Sequence, residues 1–190
     1  MAEGTNPLTD LRASIDRLDA SLLPLLSERQ RILEKILSLK KAQGLDLHQS
    51  QERKNDLQTL KDLALRLKLN PGFIDELFEK LKETTLELHQ DQPNPNQTQD
   101  LSLDILRPAL KGLEEAIILI LNERFRVVQQ IGHAKVELRL PPLDAKRWEK
   151  MMDLKRKTTE QLELAWPLVE NLFNMIHKEA LRMEEASQQP

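Results

Sequence analysis

From Leu11 onward, apolar residues recur at alternating steps of four and three: Leu11, Ile15, Leu18, Leu22, Leu25, then Ile32, Ile36 and Leu39. Arg29 stands inside this stripe, where the pattern calls for an apolar side chain. The pattern returns 95 residues later as Leu106, Leu110, Leu113, Ile117, Ile120, Val127, Ile131 and Ala134, with Arg124 at the place of Arg29. A period of 3.5 belongs to a helix and not to a strand, whose side chains alternate every second residue. Each seam predicts one helix of roughly 50 Å at about 1.5 Å per residue. Gly44 and the Pro141-Pro142 pair mark their ends.

Two shorter helices follow in each copy. One is expected from about Gln51 to Leu67, with a counterpart from about Asp144 to Leu162. The next begins at Asn70-Pro71, an N-cap with proline in the first helical position, and its counterpart at Trp166-Pro167. "QPNPNQTQD", 92–100, has two prolines, amides and nothing to bury, which reads as a linker. The fold class is therefore all-α, a tandem of three-helix units spanning 1–91 and 101–190. A lone unit could not bury so long a seam, so the copies are expected to pack as an intramolecular pseudo-dimer with antiparallel long helices. A compact monomer of 22.0 kDa is the expected state, and a domain-swapped dimer is compatible with the same pattern.

A buried guanidinium needs an anionic partner, because leaving it unpaired costs several kcal/mol. Lys40 follows Arg29 by eleven residues, only some 20° away around the helix, and Lys135 follows Arg124 in the same way. Each long helix thus aims two cations in one direction. A glutamate from a neighbouring helix or an anionic ligand would answer them equally well. Arg12 and Arg107 precede the seam arginines by 17 residues, about 25 Å along the axis. One helix cannot aim both arginines at one small ligand, whereas two antiparallel helices can exchange them.

Composition narrows the partners. A net charge of −3 supplies no global field for nucleic acid, and no apolar run is long enough for a bilayer. The absence of cysteine fits a reducing, cytoplasmic setting, as does an N-terminus without a signal-peptide pattern. The four histidines have no ligand spacing with carboxylates, so no metal is expected.

"LRASIDRLD" at 11–19, then "LLPLLSER" and a lysine ten residues later, resembles the all-helical chorismate mutases, once per repeat. Members of that family are typically intertwined dimers of three-helix chains, and the tandem resembles such a dimer fused into one polypeptide. The resemblance implies rearrangement of chorismate to prephenate, a unimolecular pericyclic shift without cofactor, metal, nucleophile or proton transfer. Catalysis then rests on holding the reactive conformer and stabilising charge on the breaking ether oxygen. Carried over by position, one site takes Arg12 from the first repeat and the rest from the second. Arg124 and Arg147 would meet carboxylates, Lys135 the ether oxygen and a carboxylate, Asp144 the ring hydroxyl through its backbone, and Glu184 the ether oxygen. Trp148 stands where the family has a glutamate for the ring hydroxyl, and Ala180 replaces a small hydroxyl residue. The second site takes Arg107 with Arg29, Lys40, Thr85 and His89. There Gln49 stands opposite Asp144, and Glu52-Arg53 inverts the family's Arg-Glu order, which reads as a degraded site. Trp148 keeps open a related enzyme on the same scaffold, an isochorismate pyruvate lyase or a mutase of 4-amino-4-deoxychorismate. The seams alone would also suit an inactive regulatory or coiled-coil module.

Overall fold

The structure is a computed structural model that describes residues 7–47, 51–89, 102–141 and 144–186. The 92–100 linker lies outside the described residues, as does Gln49. The described residues form six α-helices: α1 Pro7–Ala42, α2 Gln51–Arg66, α3 Pro71–His89, α4 Leu103–Glu137, α5 Ala145–Gln161 and α6 Trp166–Ala186. The order long, medium, medium repeats once, as the sequence predicts. Asn70 caps α3 by accepting from the Gly72 amide at 3.0 Å, and Asp144 caps α5 by accepting from the Arg147 amide at 3.2 Å.

Both long helices end in the same turn. Gly44 N–H donates to the Lys41 carbonyl and Leu45 N–H to the Lys40 carbonyl, with Gly44 at φ +67°. Ninety-five residues on, Arg139 takes the same left-handed conformation at φ 54°, with Leu140 N–H bonded to the Lys135 carbonyl. This double hydrogen bond satisfies carbonyls the helix leaves open and anchors the turn that carries each lysine. Gly44→Ala should lower unfolding free energy by about 1 kcal/mol, from backbone strain alone, since no atom lies within 4 Å of an added Cβ. Chemical denaturation reads this; an unchanged midpoint would mean that the turn readily adopts another conformation.

The buried face of each long helix is wider than the seam. Ile15, Leu22, Ile32 and Ile36 are buried as expected, but so are Asp19, Leu26, Leu33, Leu37 and Lys40, a second stripe one residue along. On α4 the second stripe holds Glu114, Ile118, Leu121, Phe125, Val128 and Lys135. One residue is about 100° of rotation, so each long helix has two faces covered and not one.

The chain divides into two compact units, and the division does not follow the repeats. Unit 1 is Met1–Pro24 with Leu119–Pro190, and unit 2 is Leu25–Ile118. Each unit thus holds part of α1, part of α4 and two shorter helices. Pro24 lies inside α1 at the division, where it removes one hydrogen bond of the helix ladder. In unit 2, Ile32, Leu33, Ile36 and Leu37 of α1 form a core with Leu106 and Leu110 of α4, and Leu86 of α3. Position rises along α1 as it falls along α4, so the two segments are antiparallel there: Arg29 meets Glu114, while the later residues meet Leu106 and Leu110. In unit 1, Asp19 meets Arg124.

Candidate active site

Asp19 organises the centre of unit 1. Its Oδ1 accepts from Arg124 Nε at 2.7 Å and its Oδ2 from Lys155 Nζ at 2.9 Å, with all three residues at 5% exposure or less. Lys155 also lies 4.3 Å from the Phe173 ring centroid. Burial pulls the Lys155 ammonium below its ordinary value, and Asp19 opposes the shift. Arg124 spends Nε on this anchor, while its Nη1 is buried without a hydrogen-bond partner. A guanidinium fixed at one edge and unsatisfied at the other is poised for an incoming carboxylate.

Around Arg124 opens a pocket of about 610 Å³. It is lined by Arg12, Lys135, Asp144, Arg147, Trp148 and Glu184, which with Arg124 are the seven residues expected for the first site. Several are held by one another. Arg12 Nη2 donates to Asp144 Oδ2 at 2.8 Å, and Arg147 Nη2 to Asp16 Oδ1 at 2.7 Å and to the Arg12 carbonyl at 3.2 Å. Lys135 Nζ donates to Glu184 Oε2 at 2.6 Å. Burial pushes the Glu184 carboxyl above its ordinary value, against the pull of Lys135. Trp148 stacks on His177 at 3.9 Å between centroids and 12° between planes. Burial, with Arg124 and Lys135 nearby, lowers the His177 pKa, so the ring is neutral at pH 7.

Unit 2 has the corresponding centre with different hardware. Glu114, the equivalent of Asp19 at the 95-residue offset, accepts from Arg29 Nε at 3.1 Å and from Arg53 Nη1 at 2.6 Å. Arg29 Nη2 lies 2.9 Å from Glu114 Oε1 at an angle too poor for a hydrogen bond, and Nη1 is buried without a hydrogen-bond partner. Burial draws the Arg29 guanidinium below its ordinary range, and Glu114 offsets this. The Phe78 ring lies 5.7 Å away, the equivalent of Phe173 beside Lys155. A pocket of about 640 Å³ adjoins this centre, lined by Arg29, Lys40, Arg53 and Arg107 among others. Nine of its lining positions coincide with those of the first pocket at the 95-residue offset, so the two pockets are structural counterparts.

The structure corrects one of the second-site expectations. Arg53 of α2, expected at that site, lines the pocket and pairs with Glu114 of α4. Thr85 does not line it; its hydroxyl is buried and donates to the Leu81 carbonyl at 2.9 Å. The side chains of Glu52 and His89 lie outside the described residues. Both answers to the seam arginines hold side by side, since each has a carboxylate on the other long helix and each keeps unsatisfied nitrogens, Nη1 of Arg124 and both Nη1 and Nη2 of Arg29. Sequence reasoning missed Asp19, Glu114, Lys155, His177 and Lys82. An acid at the same offset in both copies, next to the seam, was the available signal for the first two.

The sequence profile described as Chorismate mutase type II matches residues 11–90 and, a second time, residues 106–185. The chain belongs to the type II chorismate mutase family. Comparison with curated proteins and with solved structures gives no match. Membership of the chorismate mutase family makes this a chorismate mutase-type protein with a small-molecule substrate, built from two tandem family domains. No helix among the described residues is long and apolar enough to cross a membrane, and no cluster of three or more potential metal ligands occurs among them.

Proposed function

We propose that the chain rearranges chorismate to prephenate in the pocket of unit 1. One observation carries this reading: Arg12 of the first repeat lines the same pocket as Arg124, Lys135, Arg147 and Glu184 of the second. Arg12, at least 112 positions before the other four, joins them in supplying three guanidiniums, an ammonium and a carboxyl with a raised pKa, a set suited to a dicarboxylate ether and to no nucleophilic chemistry. Arg124, through Nη1, and Arg12 bind the two carboxylates, with Arg147 orienting them. Lys135 and protonated Glu184 donate to the ether oxygen as its bond breaks, where negative charge develops. The reaction is unimolecular, so the pocket acts by selecting a folded-over conformer and by this charge match. The Trp148–His177 stack keeps the second reading in view, a mutase or lyase of a chorismate analogue with a different ring substituent. Chorismate absorbance should fall on adding the protein, with prephenate recovered. Another product, or turnover of the 4-amino analogue or isochorismate alone, would select the second reading; inertness toward all of them would leave a binding module.

Glu184 makes a pH prediction. Only its protonated form donates a hydrogen bond, and that form gains as pH falls through the raised pKa. Turnover should therefore rise as pH falls through this titration and decline above it. Glu184→Gln donates at every pH, so it should retain activity near neutrality and flatten that limb. A wild-type profile flat from about pH 5 to 8, or a folded but inactive glutamine variant, removes Glu184 as the donor.

A further inference from the structure

Lys155 is a buried lysine with no part in the reaction scheme, and its equivalent at the 95-residue offset is the buried Leu60. Its Nζ lies 2.9 Å from Asp19 Oδ2 and 4.3 Å from the Phe173 ring centroid, and it does not line the unit 1 pocket. The two units therefore hold their central carboxylates differently. In unit 2 the second cation on Glu114 is Arg53, and both residues line the pocket. One oxygen of Glu114, Oε1, lies 3.1 Å from Arg29 Nε and 2.9 Å from Arg29 Nη2, spanning one edge of the guanidinium. In unit 1 the second cation on Asp19 is Lys155, and Asp19 does not line the pocket, although Arg124 does. Asp19 Oδ1 meets Arg124 at Nε, 2.7 Å away, and Nη1 is left without a hydrogen-bond partner.

We propose that Lys155 is a positioning residue for anion binding in unit 1: by holding Asp19 Oδ2 it keeps that carboxylate off the pocket and leaves Arg124 Nη1 to an incoming carboxylate. A carboxylate beside a guanidinium readily uses both oxygens in a fork. Lys155 takes one of the two, so Asp19 anchors Arg124 without occupying more of it. The Phe173 ring steadies the ammonium by a cation–π contact. With an apolar residue at 155, as at Leu60, nothing on α5 holds Oδ2, and Asp19 is free to turn onto Arg124. Its charge would then compete with the ligand's for the same guanidinium. The inference rests on the proposed use of Arg124 for a substrate carboxylate, and it concerns binding and not the chemical step.

Lys155→Met removes the cation and keeps an unbranched stem, and Lys155→Leu installs the residue that unit 2 carries there. Asp19 stays paired with Arg124 in both, so both should fold. The full chain is titrated with isophthalate, a rigid dicarboxylate, and followed by tryptophan fluorescence, which reports on unit 1 because Trp148 and Trp166 both lie there. Each variant should bind isophthalate about tenfold more weakly, the scale of one charged hydrogen bond. KM for chorismate should rise in step while kcat stays within about twofold, the mark of lost uniform binding. Lys155→Arg keeps a cation on Asp19 and should restore most of the affinity. Nitrogen NMR of the wild-type guanidiniums gives a reading independent of any folding defect: isophthalate should shift the Nη signals of Arg124 and leave its Nε signal in place. Unchanged isophthalate affinity in the folded variants overturns the proposal. So does a fall in kcat with KM unchanged, a shift of the Nε signal on binding, or a wild-type chain that binds no isophthalate. Should chorismate prove inert while isophthalate binds and weakens as expected, the proposed reaction falls and the role of Lys155 stands.

Discussion

Arg124→Ala is expected to cut turnover by about 10²–10³-fold, the range for removing one fixed charge-stabilising donor from a reaction site. Arg124 reaches the pocket from the centre of unit 1, anchored through Nε to Asp19, and its buried Nη1 is the nitrogen with nothing to bind. Alanine removes that donor but leaves Asp19 paired with Lys155 at 2.9 Å, so the carboxylate is not stranded and the variant should fold. Arg29→Ala removes the counterpart in unit 2 and should be far milder on turnover, apart from lost stability. Steady-state kinetics on both variants, checked for fold by circular dichroism, gives the comparison. Equal losses would mean that the pockets share the work, and catalysis could not then be assigned to unit 1 alone.

The largest stability effect is expected from Asp19→Ala. Arg124 and Lys155 would remain at 4% and 5% exposure with no carboxylate between them. Breaking a buried ion pair from one side typically costs about 3–5 kcal/mol, because the charge left behind stays out of water. Glu114→Ala strands the fully buried Arg29 in unit 2 and should cost a similar amount. The two variants part company in kinetics: Asp19→Ala frees Arg124 and should also lose turnover, whereas Glu114→Ala should not lose it in proportion. Urea unfolding followed by helix content measures both. A cost under about 1 kcal/mol for Asp19→Ala would mean that water enters and solvates the two cations.

Much of this was written in the spacing of residues. The seam period located both long helices, and the eleven-residue step from arginine to lysine placed Arg124 and Lys135 at one pocket. Exchange of Arg12 between repeats followed from geometry, since 17 residues of helix set it too far from Arg29 to share a small ligand. The carboxylates at the centres were harder to see. Asp19 and Glu114 lie one residue off the heptad seam, on the second buried stripe, and a single-seam reading leaves that stripe facing water. The partner of Arg53 was hidden for the same reason, since Glu114 lies on that second stripe. His177 and Lys82 sit on the third helix of each repeat, where sequence alone does not tell which face meets the pocket.

That α1 and α4 each run through both compact units has a consequence for how such a chain can change. In a pair of identical chains every substitution is written into both pockets at once. Here residues 53 and 148, or 82 and 177, can differ, so side-chain identity is free to drift one pocket at a time. Helix length is not. A single residue inserted in α1 between Arg29 and Lys40 would turn one against the other by about 100° and shift it by about 1.5 Å. The unit 2 pocket, which both line, would then keep only one of the two in register, and an insertion between Arg124 and Lys135 would do the same to unit 1. The chain should therefore tolerate exchanges at its pocket walls far more readily than the gain or loss of one residue in either long helix.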